Sequence, residues 1–147
     1  MATEKPVIVS IVVDHPLGPA SRHGLNKLRQ ALQAKGVSFA EAETLSTANA
    51  RMLLVAGTEG SPSVRRLLQS LRLSAPTARE SLTIHHTSWE GVSALLVAGG
   101  DDRGLMYALL DVADRVAWAE NPEQPLPLHP FPHHLWVGGK AAHGHSL

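Results

Sequence analysis

No cysteine occurs among the 147 residues, which removes disulfides, thiolate metal centres and a cysteine nucleophile from the functions open to this chain. The absence suits a reducing compartment, and the cytoplasm is the favoured expectation. No apolar run approaches the ~20 residues that a membrane helix needs. The run after Lys5-Pro6, "VIVSIVV", is short and β-branched, and it ends at Asp14 without a small-residue cleavage site. It therefore reads as a strand and not as a secretory signal. No polybasic block is present either. Lys plus Arg and Asp plus Glu both number 13, so the formal charge is zero, and neither nucleic acid nor an anionic membrane is an expected partner.

What is present describes one soluble globular domain. Apolar residues make up 44% of the chain and the mean hydropathy is −0.03, an ordinary balance for a chain that buries a core. Residues 7–13 are almost entirely apolar, as in a strand buried on both faces. Ser21 is a plausible N-cap for a helix whose apolar face is Leu25, Leu28 and Leu32 and whose end is Lys35-Gly36. "VSFAEAE", 37–43, alternates like a short edge strand, and "RMLLVAG", 51–57, is another strand. Ser61-Pro62 pairs an N-cap with proline at the first helical position, ahead of an apolar face of Val64, Leu67, Leu68 and Leu71. "SLTIHHTSW", 81–89, then turns at Glu90-Gly91 into "VSALLVAG", 92–99. Asp101 caps a last helix with the stripe Leu105, Leu109, Val112 and Val116, and Asp111 and Arg115 sit at i,i+4 on its solvated side. The expected order is β-α-β-β-α-β-β-α. That order describes an α+β fold in which helices pack on a mixed sheet. From Asn121 the composition changes: residues 121–147 hold five of the ten prolines and five of the nine histidines. The expected division is an α+β domain over 1–120 and a Pro/His/Gly-rich linker or tail over 121–147.

Two stretches repeat. "LLVAGTEGSPSVRRLL", 53–68, and "LLVAGGDDRGLMYALL", 95–110, begin alike and return to Leu-Leu in the same register, 42 positions apart. A strand, a glycine loop and a helix start together suggest a phosphate site. Neither copy carries the Gly-x4-Gly-Lys-Ser/Thr of a nucleotide-binding loop, and Gly99, Gly100 and Gly104 miss the Gly-x-Gly-x-x-Gly spacing. Asp101 and Asp102 also repel an anion and suit the helix N-terminus as caps. The helix start at Thr58–Ser63 remains open as the site of an α/β module for a phosphorylated or nucleotide ligand. An all-parallel sheet would support that rival; a hairpin joining 82–88 to 92–98 would not.

Other candidates are weaker. Asp14-His15 ends a strand, where α/β folds place chemistry, but no nucleophile is visible beside it. His85 and His86 are adjacent on a strand, face opposite ways and cannot share one ion. His133, His134, His143 and His145 form an incidental cluster in the tail, and no His-Glu-x-x-His helix occurs. No metal or other cofactor is expected. Trp89, Trp118 and Trp136 could each stack on a sugar, although packing is the commoner role.

The segment from Glu80 to Val116 carries a resemblance. Its Glu80, Leu82 and Ile84 strand, its hairpin, the strand Leu95–Gly99, then Asp102-Arg103-Gly104, Leu105, Tyr107 and Leu110 resemble the end of a small α+β domain. That domain precedes the catalytic barrel in family 20 β-N-acetylhexosaminidases and family 67 α-glucuronidases. The resemblance spans roughly residues 7–118, with its specific part in the last 40 or so. It implies a zincin-like fold without a zinc motif and without chemistry of its own. The catalytic carboxylates of those enzymes sit on a (β/α)8 barrel of ~250 residues, so no catalytic residue carries over. Two departures stand out: Ala108 replaces a glycine after Tyr107, and "HHLWVGGKAAHGHSL" does not read as a first barrel strand. The implied function is a non-catalytic accessory domain of carbohydrate processing, with a glycosidase barrel in cis or trans as partner and carbohydrate as a further one. Asp102, Arg103 and Tyr107 form the implied contact surface; in the simpler alternative Arg103 pairs locally and Tyr107 packs on the sheet.

Overall fold

Val7–Val12 is β-branched at nearly every position and lies between two parallel neighbours, and packing on both of its faces buries Val9–Val12. The computed structural model of the chain describes residues 7–45, 50–119 and 135–136. In chain order the elements are β1 (Val7–Val12), α1 (Pro19–Ala34), β2 (Phe39–Ala42), β3 (Ala50–Gly57), α2 (Pro62–Leu71), β4 (Ser81–Trp89), β5 (Val92–Gly99), α3 (Asp102–Trp118) and β6 (Leu135–Trp136). The fold is α+β, and its sheet runs β2-β1-β3-β5-β4-β6. β2, β1, β3 and β5 are mutually parallel, β4 runs antiparallel to β5, and β6 pairs antiparallel with β4. The order β-α-β-β-α-β-β-α expected from the pattern is therefore observed, with β2 at the edge and the hairpin in place. Glu90 and Gly91 take positive φ of 50° and 83°, the conformation that a two-residue hairpin turn requires. The tail 121–147, including the histidines from His133 onward, lies outside the described residues except for Leu135–Trp136, whose backbone pairs with Leu82 and Ser81.

Helices cover both faces. α1 and α3 pack on one, where Leu25, Leu28, Leu105, Leu109 and Val112 meet Val9, Ile11, Leu54 and Leu95. α2 packs on the other, where Val64, Leu67 and Leu68 meet Leu53, Val55 and Leu96. The repeated sequence explains the division. β3 and β5 are neighbours, but the register pairs Leu54, not Leu53, with Leu95. Side chains alternate along a strand, so this one-residue offset sends equivalent positions of the two copies to opposite faces. Leu53 thus joins the α2 core while Leu95 joins the α1–α3 core. The two helices that follow are drawn to opposite sides.

α1 departs from expectation at its start. Pro19 has its φ preset for the first helical turn, so the helix begins there with Gly18 at the N-cap and Ser21 buried inside it. Ser21 is not the cap. The other termini follow the pattern. Gly36 has φ +71° just past the α1 C-cap, the Ser61 side chain accepts from Val64 N, and Asp101 accepts from Gly104 N.

Gly104 lets the third helix seat against the sheet. A Cβ there would stand 2.1 Å from the carbonyl oxygen of Ser81, which is backbone of β4 and already accepts from Gly100 N. Gly104→Ala is expected to destabilise the fold by roughly 2–4 kcal/mol through this clash. Gly60→Ala, whose Cβ would meet only ordinary contacts near 3.7 Å, should change stability by less than about 1 kcal/mol. Urea melts of the two variants check the contrast.

Candidate functional site

The parallel strands β1, β3 and β5 all end on one edge of the sheet, and each feeds directly into a helix. Three positive helix N-termini therefore converge where α/β folds commonly bind ligands. The chain after β1 goes to one face and the chain after β3 to the other, which opens a crevice between them. A cavity of about 280 Å³ lies there, lined among others by His15, Leu17, Gly18, Thr58, Asp101 and Asp102.

Every one of these helix starts already holds a carboxylate. At α2, Asp14 Oδ2 accepts from Ser63 N at 2.8 Å and Asp14 Oδ1 accepts from the Ser61 hydroxyl. Ser61 Oγ in turn accepts from Val64 N at 3.1 Å. At α3, Asp101 Oδ1 accepts from Gly104 N at 2.8 Å, and both Asp101 oxygens lie within 3.2 Å of Glu80 N. α1 has no capping side chain of its own; its cap comes from the first residue of α3. Asp102 Oδ2 accepts from Ala20 N at 2.9 Å, and Oδ1 accepts from Ser21 N at 3.0 Å and from the Ser21 hydroxyl. Gly18 leaves the room for this, since a Cβ there would stand 2.6 Å from the Asp102 carboxyl.

Partial burial pushes the pKa of Asp14 and Asp102 upward, but the donors outweigh it. Ser61 and Ser63 hold Asp14, and Ser21, Ala20 and Gly18 hold Asp102, below the ordinary aspartate value. Both therefore stand as carboxylates in neutral solution.

His15 is turned toward Thr58. Its Nε2 accepts from Thr58 N at 3.3 Å and lies 3.2 Å from Thr58 Oγ1. A nitrogen that accepts a backbone N–H carries no proton, so the ring proton sits on Nδ1, which is buried without a partner among the described residues. The Thr58 hydroxyl is within hydrogen-bond reach of the same nitrogen, so what a base–hydroxyl pair would lack here is the third group. The carboxylate that would orient the ring, Asp14, is committed to α2. Asp14 and His15 are neighbours in sequence with separate structural duties.

The residues of the expected contact surface also part company. Asp102 caps α1, and Tyr107 is half-buried against the α1–α3 core. Arg103 is exposed and pairs with Glu80 at 3.5 Å. Among the tryptophans, Trp89 is half-buried beneath the Arg66 guanidinium, 5.2 Å from its ring centre, while Trp118 is 76% exposed at the end of α3. His86 Nε2 lies 3.4 Å from Ser93 Oγ, and the described residues hold no group of three or more His, Cys, Asp or Glu fit for a metal. Sequence reading found the caps Ser61 and Asp101. It missed the reach of Asp14 and Asp102 to other helices, because those bonds span 47 to 82 residues and no local pattern encodes them.

Comparisons with known proteins bear on the fold. No protein-family profile and no curated protein matches this sequence. The chain is similar to part of CpGH84D, a glycoside hydrolase of solved structure, with a TM-score of 0.58 at 14% identity. The match covers 79% of this chain and 19% of that one, so this chain spans a small portion of the hydrolase. Identity at that level shows the shared fold alone.

Asp14 and Asp102 have a lowered pKa in the folded state, so their contribution to stability is full above the unfolded aspartate value and is lost as pH falls through the folded one. Stability is expected to decline from about pH 4 downward. Asp102→Asn and Asp14→Asn should each cost about 1–2 kcal/mol at pH 7 and flatten that acid decline. Urea melts between pH 2 and pH 7 measure both effects.

Proposed function

We propose that this chain is a non-catalytic accessory domain of carbohydrate processing, of the type that precedes the barrel in family 20 β-N-acetylhexosaminidases and family 67 α-glucuronidases. Its partner is a glycosidase barrel, in cis or in trans. The observation that carries the reading is the fold shared with a minor portion of a glycoside hydrolase chain. The chemistry of the strand-end crevice supports it. Asp14, Asp101 and Asp102 are all engaged as helix caps, and His15 lacks an orienting carboxylate. The rival phosphate module has the opposite difficulty: Asp14 occupies the α2 N-terminus that would receive the phosphate.

Within this reading Arg103 makes the outward contact. Asp102 and Tyr107 support it from behind by fixing α3 against α1 and the core. An exposed ion pair such as Arg103–Glu80 contributes little to folding, which leaves the guanidinium free to exchange one carboxylate for another on a partner.

The test is to purify the chain and assay it on chromogenic N-acetylglucosaminides and glucuronides, alone and mixed with barrels encoded by neighbouring reading frames. The chain alone should release no chromophore, and it should bind one such barrel. Arg103→Glu should weaken that binding by about tenfold or more while leaving the melting temperature of the chain unchanged. Hydrolysis by the isolated chain, or failure to bind any of the barrels, would overturn the proposal.

A further inference from the structure

A second and larger depression lies away from the crevice, between the outer face of α1 and the end of β2, with a volume of about 520 Å³. It falls in the size range of small-ligand sites and sits near the carboxyl ends of the parallel strands β1 and β2. Val13, Leu17 and Leu25 supply apolar surface. One end is fixed by a bridge between the two walls: Arg29 donates from Nε and Nη2 to Glu41 at 2.6 and 2.7 Å, and Asn26 Oδ1 accepts from Arg29 Nη1 at 2.6 Å. A two-pronged bond of this kind holds the guanidinium plane in one orientation.

Two charges in it remain unmatched. Arg22, on the α1 wall, and Glu43, past the end of β2, both line the groove and are exposed, and neither has an ion-pair partner among the described residues. The pairing of signs selects the ligand. A simple anion would meet Glu41 and Glu43, and a simple cation would meet Arg22. A neutral apolar molecule would strip water from both charges without replacing it. A neutral sugar finds no aromatic face, since no aromatic side chain lines the groove. A molecule with one charge of each sign and an apolar body satisfies all three surfaces.

We propose that this groove binds a short peptide-like zwitterion, a dipeptide with free termini and apolar side chains, its carboxylate on Arg22 and its ammonium on Glu43. The apolar side chains lie on Val13, Leu17 and Leu25. This site is independent of the accessory-domain reading, and either can fail without the other.

The experiment is a nuclear magnetic resonance titration of the full chain, labelled with nitrogen-15, using Leu-Leu, N-acetyl-Leu-Leu and Leu-Leu amide as probes. Leu-Leu should give saturable shifts at the amides of Val13, Leu25 and Ala42. Blocking either terminus should weaken binding about tenfold, the loss expected when one charge-assisted hydrogen bond is removed. Arg22→Gln should weaken the free dipeptide by a similar factor and abolish its advantage over the amide. Glu43→Gln should do the same for its advantage over the acetylated form. Both side chains are exposed, so the melting temperatures of the variants should match the parent. Absence of saturable shifts at millimolar probe, equal binding of the blocked forms, or shifts centred on His15 and Thr58 instead would each overturn the proposal.

Discussion

The bond between Asp102 and the start of α1 is the constraint on which the rest of the structure depends. α1 opens with Gly18, Pro19 and Ala20, none of which has a side chain able to accept from the exposed N–H groups of a first turn. The acceptor arrives from α3, across more than eighty residues of sequence. It holds two backbone donors and a hydroxyl at once. α1 and α3 lie side by side on the same sheet face, so the cap also sets where one helix begins relative to the other. A local feature of most helices has here become a tertiary contact.

The same device recurs along that edge and bears directly on function. Three helix N-termini meeting at the ends of parallel strands make a strong site for an anion. This chain fills the site from within, with Asp14, Asp101 and Asp102. The dipoles that could have held a substrate phosphate hold the protein's own carboxylates. The strand-end crevice therefore presents helix starts whose donors are already taken. Unmatched charge appears instead on the flank of α1, where Arg22 and Glu43 face one groove.

The repeated strand–loop–helix sequence shows how little a sequence repeat says about spatial equivalence. Read along the chain, the two copies look interchangeable. Side by side in the sheet they are offset by one residue, and an offset of one inverts every side chain. The α2 and α3 stripes consequently meet opposite faces, and the sheet is covered on both sides. The copies differ in their loops as well: Ser61 caps the first helix locally, whereas Asp101 and Asp102 in the second serve two different helices.

The sequence by itself determined the elements and their types. The apolar run 7–13, the Ser61-Pro62 start, the Glu90-Gly91 turn and the leucine stripes of the helices are local signals, and local sterics and hydrogen bonding decide such matters within a few residues. The edge position of β2 and the 81–99 hairpin were legible for the same reason, as was the capping role of Asp101. Only the tertiary structure decided that Asp14 serves α2, that Asp102 serves α1, that His15 turns to Thr58, and that Ser21 lies inside a helix rather than at its head. Each of these depends on which strand ends lie next to one another. The order β2-β1-β3-β5-β4-β6 and its registers arise from the burial of two whole faces at once, a property of the assembled sheet that no single segment contains.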